Sequence, residues 1–131
     1  MESSFDQIIA SYQRARQSDD LFDTFYDLFL NKSPDIPPMF AHTDFPHQKR
    51  MLRESILVML AFFRTKSDCD EIQRLAARHK ELNVKDEHYA LWLDALCEAL
   101  SIHDPQFTPE LDQMWREAFQ PAIEIMRAES P

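Results

Sequence analysis

The chain has 131 residues, enough for one domain over residues 1–131 that buries roughly two-thirds of its unfolded surface, and its 44% hydrophobic content excludes intrinsic disorder. It has 8 prolines and no glycine, where average usage would supply about nine, so the usual residue for tight hairpins, positive-φ turns and phosphate-cradling loops is missing. A formal net charge of −9 opposes binding to nucleic acid or to anionic membrane surfaces.

In chain order, Ser4 to Gln17 reads as a first helix, capped by Ser3 or Ser4, with Phe5, Ile8, Ile9 and Tyr12 on one face. Asp19 or Asp20 starts a second helix carrying Phe22, Phe25, Tyr26 and Phe29, which ends near Ser33 because Pro34 disfavours helical backbone in the residue before it. The stretch from Pro34 to Phe40, with Pro37 and Pro38, has room only for a short turn or 3₁₀ piece. Asp44 caps a long helix with Pro46 in its first turn, where a missing N–H costs nothing. Gln48, Leu52, Ile56, Met59, Leu60 and Phe63 share one face of it. After a break from Thr65 to Asp70, residues 70 to 82 form a helix with Ile72, Leu75, Ala76, His79 and Leu82 on one stripe. Asn83-Val84 is a joint, and Lys85 to Ile102 is a helix bearing Tyr89, Trp92, Leu93, Leu96 and Leu100. A loop from His103 to Gln106 leads to Thr108-Pro109-Glu110, an N-cap, a proline and an acid at the positive end of the last helix. That helix shows Leu111, Trp115, Ala118, Phe119, Ala122 and Met126.

The pattern is all-α, with six or seven helices of unequal length rather than a simple up-down four-helix bundle. The longest uncharged apolar run, Ser55 to Phe63, is far short of the ~20 residues of a membrane span. The start, Met1-Glu2-Ser3-Ser4, lacks the basic segment of a signal peptide. Cys69 and Cys97 have no short metal or redox spacing and read as free thiols in a reducing cytoplasm.

Five histidines carry the chemistry worth weighing: His42, His47, His79, His88 and His103. None has the His-x-x-x-His or Glu-x-x-His spacing of a dedicated zinc or di-iron site. His42 and His103 fall in loops and are expected to be solvated, and His88 starts a helix one residue from its apolar stripe. His79 lies on a stripe with Ile72, Leu75, Ala76 and Leu82. A histidine there is most often a hydrogen-bonded core residue, but a neutral imidazole aimed into an apolar pocket is also what an axial haem ligand requires.

Phe25-Tyr26-Asp27-x-Phe29, Ser33-Pro34 and Met39-Phe40 resemble the distal half of bacterial globins, including the haem domain of flavohaemoglobins. Gln48-Lys49 to Leu52 is similar to their distal helix, and Ala77-Arg78-His79 through Val84-Lys85-x-Glu87-x-Tyr89 to their proximal segment. Glu110-Leu111, Trp115 and Phe119 resemble the start of their last helix. The resemblance covers roughly Leu21 to Phe119 and implies a globin-like fold around haem b, with His79 as the iron ligand. It implies Tyr26 and Gln48 as hydrogen-bonding groups over a bound gas, Phe40 against the porphyrin, Leu52 in the distal wall, and Tyr89 orienting His79. A phenol and an amide donor would hold polarised O₂ and slow its release.

Three departures from that family stand out. The joint from Phe40 to Gln48 is slightly shorter, leaving two registers, with Gln48 or His47 toward the iron. Gln48 has the longer apolar stripe. Asp86 stands where the family usually has proline. The late glutamate that the family links to the proximal histidine through the tyrosine has no match in register, Glu129 being off it. The expected function is reversible binding of O₂, NO or CO in the cytoplasm, as carrier or sensor. The alternative is nitric oxide dioxygenase or peroxidase chemistry with an external reductase, and a third reading is a haem-free helical interaction module.

Overall fold

The computed structural model describes residues 3–65, 70–81 and 84–128. They form seven helices: α1 (Ser4–Ala15), α2 (Leu21–Leu30), α3 (Ile36–Met39), α4 (Phe45–Thr65), α5 (Asp70–Glu81), α6 (Asp86–His103) and α7 (Pro109–Ala128). Among the described residues there is no strand, and no helix is long and apolar enough to cross a membrane.

The helix starts follow local chemistry. The Ser3 hydroxyl accepts the Asp6 N–H at 3.1 Å, and the Thr108 hydroxyl accepts the Leu111 N–H at 3.1 Å. Asp20 precedes α2 without capping it: its backbone is already helical, which turns its carboxylate away from the first turn. The proline-bounded segment closes into a single turn, α3, with Ile36 fully buried beneath it. The second helix stops at Leu30, three residues before Ser33, where Asn31 and Lys32 close its end with shorter-range N–H bonds to Leu28 and Phe29. The 66–69 break and Leu82 lie outside the described residues.

An aromatic relay ties the helices together. Phe25 stacks on Phe29 at 5.4 Å and meets the Trp92 edge at 5.8 Å, Trp92 meets Phe119 at 5.9 Å, and Phe119 meets Trp115 at 5.5 Å. Each pair adds about 1 kcal/mol to the effect of burial. Thus α2 packs chiefly on α6, while α7 backs α4, α5 and α6. Helix α6 is buried on most sides, including His88 and Cys97. Burial pushes the Cys97 thiol up to about 12, against the opposing pull of Arg116, which leaves it an inert core thiol. His103 closes α6 half-buried rather than solvated, with its Nε2 2.7 Å from the Thr24 hydroxyl of α2. The dense α2–α6 contact draws it in, a tertiary effect that its loop-like sequence context does not show.

One polar cluster sits inside this apolar frame. The Asp104 side chain, fully shielded from solvent, accepts the Ser11 hydroxyl at 2.7 Å, Arg14 Nε at 2.6 Å and the Gln106 N–H at 2.9 Å. Trp115 Nε1 donates to Ser11 at 3.2 Å, so α1, α7 and the end of α6 share one network. Burial by itself raises the Asp104 pKa, but the bonds from Arg14, Ser11 and Gln106 outweigh it and hold the carboxyl below the usual range. Its contribution is therefore complete above the unfolded value near pH 4 and is lost as pH falls through the lower folded value. Asp104→Asn is expected to cost about 3 kcal/mol at pH 7. Denaturant unfolding at pH 7 and near pH 2.5 checks this: the gap to wild type should narrow in acid, and a gap of equal size at both pH values would show that the charge is not what matters.

Candidate functional site

Helix α2 turns Tyr26 inward beside Phe25, and the phenol is only 4% exposed. Around it stand Phe40, at the end of α3, and Phe45, at the start of α4, with ring centroids 5.9 and 5.5 Å away. Phe40 and Phe45 stack at 6.2 Å, and Phe29 closes the group 6.1 Å from Phe40. Phe45 and Phe29 were not singled out from sequence as site residues. The signal for Phe45 was present, because Phe45, Gln48 and Leu52 recur at i, i+3 and i+7 on α4.

The Gln48 side chain hydrogen-bonds the Tyr26 phenol. Burial drives the Tyr26 pKa up to about 12 and the Gln48 bond opposes it, so the phenol keeps its proton at neutral pH. Gln48 is half-buried, and Leu52 and Ile56 below it are buried. His47 is exposed, with its Nδ1 3.4 Å from Arg50 on the outer surface. Of the two possible registers, the structure brings Gln48 to Tyr26 and turns His47 outward.

His79 lies near the end of α5, half-buried, above the buried Ile72 and Ala76. Its Nδ1 is 2.7 Å from the Leu75 carbonyl, one turn back. A carbonyl can only accept, so Nδ1 carries the ring proton and Nε2 keeps its lone pair. The Tyr89 ring of α6 lies 5.8 Å from the imidazole, tilted by 40°. The structure thus makes two groups: Tyr26, Phe40, Gln48 and Leu52 on α2–α4, and His79 with Tyr89 on α5–α6.

On its other side Tyr89 lines a cavity of about 250 Å³ between α6 and α7. There α7 presents Arg116, Gln120, Ile123 and Arg127, while Asp86 and Asp94 come from α6. Glu117 and Glu124 are exposed and take hydrogen bonds from Gln113 and Gln120. Among the described residues of α7, no glutamate lines the Tyr89 cavity, and Glu129 lies outside them. Asp86, in place of the family's proline, begins α6 and reaches Arg127 at 3.6 Å.

The donor set suits a haem. A neutral imidazole whose orientation is fixed by its Nδ1 proton offers Nε2 as an axial ligand, and buried aromatic and aliphatic side chains line the opposite group. Comparison with known proteins agrees with this chemistry. The family model described as Globin matches residues 23–126. A crystal structure of a Pseudomonas aeruginosa PAO1 protein, described as structurally highly homologous to a human hemoglobin, is 35% identical. The match covers 97% of this chain and 98% of that one, with a TM-score of 0.92. A comparison with curated proteins finds no match. With most of its length matched by the family model, and a 35% identical relative aligned nearly end to end, the chain belongs to the globin family.

Proposed function

We propose that this chain is a single globin domain that holds haem b and reversibly binds O₂ or a related diatomic gas such as NO or CO in the cytoplasm. The observation that carries the reading is His79, whose Nδ1 is tied to the Leu75 carbonyl so that Nε2 is left to bind iron. In this reading His79 holds the iron, Tyr89 keeps the imidazole in place, and Phe40 and Leu52 give the porphyrin an apolar seat. The haem iron, when bound, supplies the position at which the gas ligates.

The chain's own polar groups then set how long a gas stays. Tyr26 and Gln48 already bond each other inside an aromatic shell, so both are paired before a ligand arrives. A polarised ligand exchanges that bond for bonds to itself, and the surrounding rings exclude the water that would compete. The Tyr26 pKa of about 12 keeps the phenol a donor across the physiological range. The same pair supports a second reading, nitric oxide dioxygenation with an external reductase, because a gas held longer meets a second reactant more often. Sustained NO consumption on adding a cellular reductase distinguishes an enzyme from a carrier.

The direct test is the absorption spectrum of the purified protein with hemin. His79→Ala is expected to lose the Soret band on desalting, whereas His42→Ala and His103→Ala keep it. A normal Soret band and ferrous CO spectrum in His79→Ala would overturn the ligand assignment, and a protein that stays colourless with hemin would overturn the haem reading.

Tyr26→Phe and Gln48→Leu are each expected to speed O₂ dissociation roughly ten- to a hundredfold, the loss of about 1–3 kcal/mol of hydrogen bonding to a polarised ligand. CO, being less polar, should respond much less. Stopped-flow release of both gases checks this, and equal acceleration would point to altered access instead.

With Gln48 inward and His47 on the outer surface, the ferrous protein is expected to be five-coordinate without added ligand, and His47→Leu should leave its spectrum unchanged. A low-spin bis-histidine ferrous spectrum that His47→Leu abolishes would reverse this placement.

A further inference from the structure

The two helices that carry Tyr26 and Gln48 rest on different supports. Helix α2 packs chiefly on α6, whereas α4 is backed by α7. On the inner side, the bond between Tyr26 and Gln48 crosses from one to the other. On the outer side a second polar link makes the same crossing: the Lys49 ammonium donates to the Asp23 carboxylate. Asp23 lies three residues before Tyr26 on α2, and Lys49 directly follows Gln48 on α4. Each end of the outer link is thus anchored within one helical turn of a member of the inner pair.

The start of α4 is where such a link has most effect. The segment that enters it is largely exposed, with Ala41, His42 and Asp44 open to solvent, and Gln48 is itself only half-buried. A hydrogen bond has a short reach, so a small drift of this turn away from α2 is enough to part Gln48 from Tyr26. Lys49 is 34% exposed and Asp23 51%, so their ion pair adds little to global stability and is open to screening by salt. The fold therefore survives its loss, while the local geometry does not. The Lys32–Glu98 pair provides a contrast. It ties the end of α2 to α6, the helix on which α2 already rests, and does not cross to α4.

We infer that Asp23 and Lys49 are a positioning pair for the gas site: their ion pair holds the first turn of α4 against α2 and keeps the Gln48 amide within reach of Tyr26 and of a ligand bound there. This rests on the reading that a gas binds beside Tyr26. Neither Asp23 nor Lys49 touches the ligand. Their effect passes through Gln48, so it falls on a polarised ligand and spares an apolar one.

The test is stopped-flow release of O₂ and of CO from the haem-loaded protein, in low salt and in about 1 M sodium chloride. Lys49→Met is expected to speed O₂ release about two- to fivefold, with CO release changing much less. Lys49→Arg should keep most of the wild-type rate, and the charge-swapped double variant Asp23→Lys with Lys49→Asp should recover most of it. High salt should speed O₂ release from wild type and leave Lys49→Met unchanged. Lys32→Met should release O₂ as wild type does. In NMR spectra of the full chain before hemin is added, the Gln48 side-chain amide should shift in Lys49→Met toward the position of an unbonded amide. Unchanged O₂ release in Lys49→Met, equal acceleration of O₂ and CO, equal acceleration in Lys32→Met, or an unmoved Gln48 amide would each overturn the proposal. A missing Soret band would instead overturn the haem reading, and the Gln48 amide would still judge the pair.

Discussion

The buried carboxylate of Asp104 ties α1 to the end of α6. A charged side chain fully removed from solvent is tolerated only if its oxygens are satisfied, and here they receive Ser11, Arg14 and the Gln106 N–H. Those donors lie on α1 and just beyond α6, while Trp115 of α7 donates to Ser11 in turn. Hydrogen-bond geometry, which is directional, thus adds to the apolar burial of Ile8, Tyr12 and Ala15 in holding α1 against α6 and α7. With the C-terminal end of α6 held in this way, its other end presents Tyr89 to His79 of α5.

The site depends on a division of labour between apolar and polar groups. Phe29, Phe40 and Phe45 surround Tyr26 with surface that holds no competing donor or acceptor. Within that shell, Tyr26 with Gln48 is the polar element. On the α5–α6 side, His79 uses a backbone carbonyl of its own helix to choose a tautomer, which needs no carboxylate. The cavity beside Tyr89 receives Gln120 and Ile123 from α7, and among the described residues no α7 glutamate lines it.

The meeting of Asp35, Glu87 and His88 belongs to the same logic of polar groups in a mostly helical frame. His88 is buried because α6 is packed on most sides, and its position in the first turn brings it to the α3 segment. It neighbours Tyr89 in sequence, and the Tyr89 ring lies against His79.

Much of this was determined by local sequence. The absence of glycine, the proline punctuation and the apolar stripes specify six or seven helices, and the Ser3 and Thr108 caps mark where two of them begin, because capping and periodicity depend on residues a turn or two apart. His79 stood out for the same reason, on a stripe with Ile72, Leu75 and Ala76. Only the tertiary structure decided which of His47 and Gln48 turns inward, since both lie on the same helix and the choice depends on where Tyr26 and Phe45 arrive from other segments. The burial of His103 against Thr24, the Asp104 network and the meeting of Asp35 with His88 were equally invisible. Each joins residues far apart in the chain, and helical periodicity carries no information about which faces of two distant helices will meet.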